Sequence, residues 1–209
     1  MLTRRQKGVS LIEVIIGIAI LALLMGLGVP QYAIFLSNSR LKATTDTLLS
    51  GLSRARTEAV TRNTLVEMIL TDEEPIEILV NAAVPSTSGT NWIVRARNLA
   101  AGGYTFIEGK YGAEGSGKDS GTTVQVASAD SGIYDGTVIF NGFGGVGSHN
   151  IVGSSQGITY QITNPAGGAC VAAGGPMRCL NITVSPGGQI RACDPAVNPV
   201  TNPTDTRAC

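Results

Sequence analysis

The chain has 209 residues, with 15 basic and 15 acidic side chains and a single histidine. That length suits one globular domain plus one extended element, and the balanced charge excludes the global basic field of a dedicated nucleic-acid binder. One histidine, His149, and four cysteines with no C-x-x-C leave little for a metal site, so no metal, no cofactor and no enzymatic activity are expected.

Arg4, Arg5 and Lys7 precede Gly8, and an apolar run then covers residues 9–29. The run is about long enough to cross a bilayer as a helix, and the cations ahead of it would hold that end in the cytoplasm. Glu13 interrupts it. A carboxylate on a membrane helix costs roughly 2–4 kcal/mol on insertion scales, so it needs a purpose or a partner.

An ordinary secretory signal carries an A-x-A-like site after its apolar core, whereas this core runs into Gly28-Val29-Pro30-Gln31-Tyr32. A plain signal anchor accounts for the hydrophobicity but leaves Lys7-Gly8 and Glu13 unexplained. The segment Lys7-Gly8-Val9-Ser10-Leu11-Ile12-Glu13-Val14 resembles the class III signal of type IV pilins and type II secretion pseudopilins. That resemblance implies a leader at 1–8, cleavage by prepilin peptidase between Gly8 and Val9, and N-methylation of Val9. The family's usual Phe after the glycine is Val9 here. The resemblance also gives Glu13 a role in assembly, neutralising the new amino group of a neighbouring subunit.

Beyond Pro30, Leu41, Leu48, Leu52, Ala55 and Ala59 recur at intervals of three, four or seven, as on one face of a helix. Arg40, Lys42, Arg54, Arg56, Glu58 and Arg62 fall mainly on other faces. The pattern predicts one helix of roughly 80 Å over about residues 9–62, kinked at Pro30. Residues 9–29 form its transmembrane and assembly half, and residues 30–63 its amphipathic half. Ala55-Arg56-Thr57-Glu58-Ala59-Val60-Thr61-Arg62 matches an A-R-x-E-A-x-x-R pattern at every fixed position. In this the chain resembles the GspH/FimT group of minor pilins and pseudopilins. Phe140-Asn141-Gly142-Phe143-Gly144 and the strand-turn-strand at 180–193 are later echoes of that group.

After the helix the period changes to two. Strands are predicted at 64–70, 92–98, 104–108, 122–127, 137–141, 158–163, 180–185 and 189–193, with glycine-rich links at 109–121 and 142–157. The fold class is α+β and pilin-like. One long N-terminal helix packs by its C-terminal half on antiparallel sheet, in a β-rich domain at 64–209; two shorter sheets suit the pattern as well as one.

Three motif matches lack their context. Gly142-Phe143-Gly144-Gly145-Val146-Gly147 satisfies G-x-G-x-x-G, but no helical period comes after it and no acid lies between Asp135 and Asp194 to meet a ribose. Gly153-Ser154-Ser155-Gln156-Gly157 satisfies G-x-S-x-G, yet His149 precedes it, the reverse of the order a hydrolase triad needs. Asp72-Glu73-Glu74 could hold calcium weakly, but three consecutive acids are more often a solvated turn.

Cys170, Cys179, Cys193 and Cys209 behind an export-type N-terminus suggest disulfides in an oxidising compartment. Four cysteines allow three pairings. Order along the chain favours Cys170 with Cys179 and Cys193 with Cys209, the second closing the proline-rich tail 194–209. Some relatives in the resembled group capture DNA through a G-R-x-R-like turn; the matching place here is Gly188-Gln189-Ile190-Arg191, with glutamine for the first arginine. Arg178, Arg191 and Arg207 are the candidate DNA contacts, and three phosphate contacts would bind weakly. They serve equally as solubilising arginines, the reading that zero net charge favours.

The resemblance implies a minor pilin or pseudopilin at the tip or initiation complex of a pilus or type II secretion pseudopilus. It would be anchored once in the inner membrane, with a periplasmic domain and other pilins as partners; DNA binding is the alternative. Intact mass of protein from a peptidase-proficient host is expected to correspond to a chain starting at Val9, with or without one methyl. A start near residue 30 would indicate an ordinary signal peptide.

Overall fold

The computed structural model describes residues 9–98, 102–112, 121–128, 136–147 and 157–209. It has two compact units, the first ending at Leu36 and the second running from Ser37 to Cys209. One helix, α1 (Leu11–Arg62), contributes to both, and its helical assignment continues through Pro30. In the first unit α1 leaves its apolar side chains uncovered: Leu11 is 77% and Leu23 67% exposed.

In the second unit the helix is one-sided. Leu41, Leu48, Leu52, Ala55 and Ala59 are fully buried, as their spacing predicts, and Thr44 and Thr45 join them. Buried hydroxyls need partners. Thr45 donates to the Leu41 carbonyl at 2.9 Å and Thr44 to the Gly112 carbonyl at 3.0 Å. The helix stops at Asn63, whose φ of 48° is left-handed. The Asn63 and Thr64 amides fold back to the Val60 and Ala59 carbonyls, satisfying two acceptors the helix end would otherwise leave open.

Among the described residues, eight strands come after the helix: β1 (Val66–Thr71), β2 (Asn91–Arg97), β3 (Tyr104–Lys110), β4 (Thr123–Ser128), β5 (Thr137–Phe140), β6 (Ile158–Thr163), β7 (Leu180–Val184) and β8 (Ile190–Cys193). They form two four-stranded antiparallel sheets, ordered β3-β2-β1-β5 and β4-β6-β7-β8. Each strand overlaps a stretch of period two in the sequence. The short 3-10 segments Glu77–Leu79, Pro165–Gly167 and Val171–Ala173 lie where the sequence shows no period.

The sheets differ in what covers them. In the second, β6 alternates: Ile158, Tyr160 and Ile162 are buried while Gln161 faces solvent. In the first, all six residues of β1 are buried. Met68, Leu70, Trp92 and Val94 share the face on which Trp92 meets Gly51 of α1. Ile69 and Ile93 share the other face and pack with Val80 and Ala83 from the connection 72–90. That connection continues to the second sheet, since the Ser86 amide donates to Leu70 and the Val126 amide of β4 donates to Thr87.

The covered outer face holds charge. Glu67 and Arg95, paired across β1 and β2, are only 2% and 5% exposed. Arg95 Nε donates to Glu67 Oε1 at 2.6 Å, Arg95 Nη1 to the Val80 carbonyl at 2.7 Å, and the guanidinium lies 3.7 Å from the centroid of the Tyr104 ring. The pair therefore pins the connection 72–90 to the sheet. Removing one charge strands the other in low dielectric, so Glu67→Gln is expected to cost about 3–5 kcal/mol. Glu67→Leu combined with Arg95→Met is expected to cost much less. Urea unfolding followed through the single tryptophan, Trp92, measures both.

Candidate functional site

Val9 begins the described residues and is 70% exposed; Gly8 and the rest of 1–8 lie outside them. Glu13 occupies the first turn of α1, where a negative charge complements the helix dipole. Its amide and that of Val14 donate to the Ser10 carbonyl at 3.0 and 3.3 Å. Around it Leu11, Ile12, Val14, Ile15 and Ile16 are all exposed. Glu13 has no counter-ion among the described residues. A lone carboxylate on an apolar, uncovered helix is costly to bury unless a cation accompanies it. The same helix is long and apolar enough to cross a membrane.

In the second unit, three segments that carry the sequence resemblance meet. Arg56, on the exposed flank of α1, donates from Nε to the Gly144 carbonyl at 3.0 Å. Gly144 belongs to a tight turn after β5, in which Asn141 Oδ1 accepts from the Phe143 and Gly145 amides at 2.9 and 3.2 Å. Gly188, in the β7–β8 turn, closes on the same carbonyl. Its φ is +76°, and a Cβ there would overlap the Gly144 oxygen. Beside Arg56, Glu58 bridges Arg54 at 2.9 Å and Arg62 at 2.7 Å. The helix motif is thus the anchor for two turns distant in sequence.

The G-x-G-x-x-G segment forms this turn and a bridge between Phe140 and Val146. Residues 148–156 lie outside the described residues, and with them His149 and most of the G-x-S-x-G match. Asp72 and Glu73 sit in a bend whose Glu73 amide donates to Thr71 Oγ1 at 3.2 Å. No group of three or more His, Cys, Asp or Glu suited to a metal occurs among the described residues.

Cys170 is bonded to Cys179 and Cys193 to Cys209, with Cα separations of 5.4 and 5.1 Å. The first bond closes a loop that grips α1. Met177 is fully buried, and the Arg178 amide donates to Asn38 Oδ1 at 2.8 Å. The second closes the tail against β8, where the Asp194 amide donates to the Arg207 carbonyl at 2.7 Å. Arg191 Nη2 reaches the Ala208 carbonyl at 2.8 Å. Arg207 forks onto Asp205 at 3.1 and 2.8 Å, and these hydrogen bonds hold the Asp205 carboxyl down at about 2. Two of the three arginines named as candidate DNA contacts are thus engaged in ordering the tail. Sequence reasoning missed this, because Asp205 and the Ala208 carbonyl carry no motif.

A family model described as the prokaryotic N-terminal methylation motif matches residues 3–29. No curated protein sequence matches the chain. Among solved structures, the type IV minor pilin FimU of Pseudomonas aeruginosa is similar at 14% identity and a TM-score of 0.49, over 75% of this chain and 90% of that one. The minor pseudopilin EpsH from the type 2 secretion system of Vibrio cholerae is similar at 10% identity and 0.47, over 76% and 99%. Escherichia coli GspH is similar at 12% identity and 0.43, over 76% and 91%. The methylation motif thus opens one long helix, and the second half of that helix packs on antiparallel sheet.

Proposed function

We propose that this chain is a minor pilin or minor pseudopilin of the GspH/FimT type, a structural subunit and not an enzyme. Prepilin peptidase removes residues 1–8 and methylates Val9. Residues 9–29 then hold the subunit in the inner membrane, with the β-rich domain on the periplasmic side. From there it joins other pilin-like subunits at the tip or initiation complex of a type IV pilus or type II secretion pseudopilus.

The observation that carries this reading is the methylation motif lying over an uncovered apolar helix with Glu13 as its one charge. An apolar helix with nothing packed on it has two stable destinations, lipid and other helices. Glu13 favours passage from one to the other. Its burial cost is offset when a neighbour's new amino group pairs with it in low dielectric. The two disulfides support an oxidising compartment for the domain. The minor-subunit assignment rests on the match of Ala55 to Arg62 with the GspH/FimT pattern. DNA capture is disfavoured, because Arg191 and Arg207 are held by the tail and phosphate binding needs several free cations.

Glu13→Val removes the only charge from the span, so membrane insertion is expected to be unchanged or improved. Recovery with partner pilins from sheared filaments or detergent-solubilised membranes is expected to fall sharply. Normal co-purification of the variant would refute the assembly role of Glu13.

A further inference from the structure

Several exposed cations of the second unit have carboxylate partners. Arg54 and Arg62 share Glu58, and Arg207 has Asp205. Arg56 differs. Its Nε is bound to a carbonyl, which leaves its charge uncompensated, and its terminal nitrogens make no hydrogen bond among the described residues. It lines a cleft of about 320 Å³ together with Ser53, Thr57, Gln189 and Ile190. None of these is acidic. The Gly144 carbonyl that anchors Arg56 is itself closed over by Gly188, so the guanidinium is held at Nε with its outer fork unoccupied. A fixed planar fork beside hydroxyl and amide donors is suited to bidentate binding of one carboxylate.

We infer that this cleft is a docking site for a carboxylate side chain of an adjacent pilin-like subunit. The inference rests on the filament reading and adds to it a contact outside the apolar helix. A single cation favours a carboxylate over a nucleic-acid backbone, which needs a row of them. A second copy of this chain would carry the complementary chemistry. Asp72, Glu73, Glu74 and Glu77 are exposed on the connection that covers the face of the first sheet opposite α1. Acceptor and donor on opposite sides of one domain suit the head-to-tail contacts from which helical filaments are built.

The test uses the full-length chain in its own host with a photoreactive benzoylphenylalanine in place of Val60. That residue lies one turn beyond Arg56 and is 50% exposed. After irradiation, the expected cross-link is to a pilin-like subunit within a few residues of an Asp or Glu. Arg56→Gln is expected to reduce its yield about tenfold, and Arg56→Lys, which keeps the charge without the fork, by less. Arg56→Glu is expected to abolish the link, and Lys at the mapped acid to restore it. Trp92 fluorescence and intact disulfides check that each variant is folded. A cross-link to DNA, one remote from any acid, or a yield indifferent to Arg56→Gln overturns the inference. If the otherwise unaltered chain co-purifies with pilins while the link ignores Arg56, only the cleft is refuted. If it never co-purifies, the filament reading falls with it.

Discussion

Gly51 lets the backbone of α1 approach Trp92 so closely that a Cβ there would stand 3.0 Å from the indole ring. Much of the second unit depends on that approach. Trp92 sits on β2 opposite Leu70 of β1, so seating its ring on the helix fixes which face of the first sheet looks inward. Period two then sends Ile93 and Arg95 to the other face, with Ile69 and Glu67 beside them. That face cannot stay bare, and the connection 72–90 covers it through Val80 and Ala83. The same connection hydrogen-bonds to β4 and so links the first sheet to the second.

The charges obey a related logic. Where a cation lies under cover, it has a carboxylate and a carbonyl together, as Arg95 has Glu67 and Val80. Where it orders an exposed segment, a single local partner is enough, as for Arg207 with Asp205 or Arg191 with the Ala208 carbonyl. Such exposed contacts contribute little to stability individually. In the tail they act beside a disulfide, and a loop of this length gains about 3 kcal/mol from closure in the chain-entropy model. The two disulfides thus do different things: one holds the tail along β8 and the other holds a loop against Asn38 of α1.

A single helix, α1, meets two environments. From Leu11 to Met25 its apolar residues are exposed all round. From Leu41 to Ala59 they narrow to one stripe that is fully buried. The first kind of surface leaves its apolar side chains uncovered, and Glu13 sits there among exposed aliphatic side chains with no counter-ion among the described residues.

Elements were legible in the sequence wherever a period persisted. The helix stripe from Leu41 to Ala59, the strands 158–163 and 137–141, and the α+β class all come from local spacing, which depends on backbone geometry alone. The short 3-10 segments were not legible, because three residues show no period. Nor was the burial of Thr44 and Thr45, whose hydroxyls find partners only once the helix is packed. The convergence of Arg56, Gly144 and Gly188 was also hidden: each belongs to a recognisable local pattern, but nothing in the spacing says that a helix flank and two turns share one carbonyl. By itself the sequence determined where the chain is helical, extended or apolar, along with the charge at Glu13 and the leader-like residues before it. Only tertiary structure decided which side chains meet. It paired Glu67 with Arg95 and drew Arg191 and Arg207 into the tail while leaving Arg56 without a counter-ion, because such contacts depend on register and on which face of a sheet is covered.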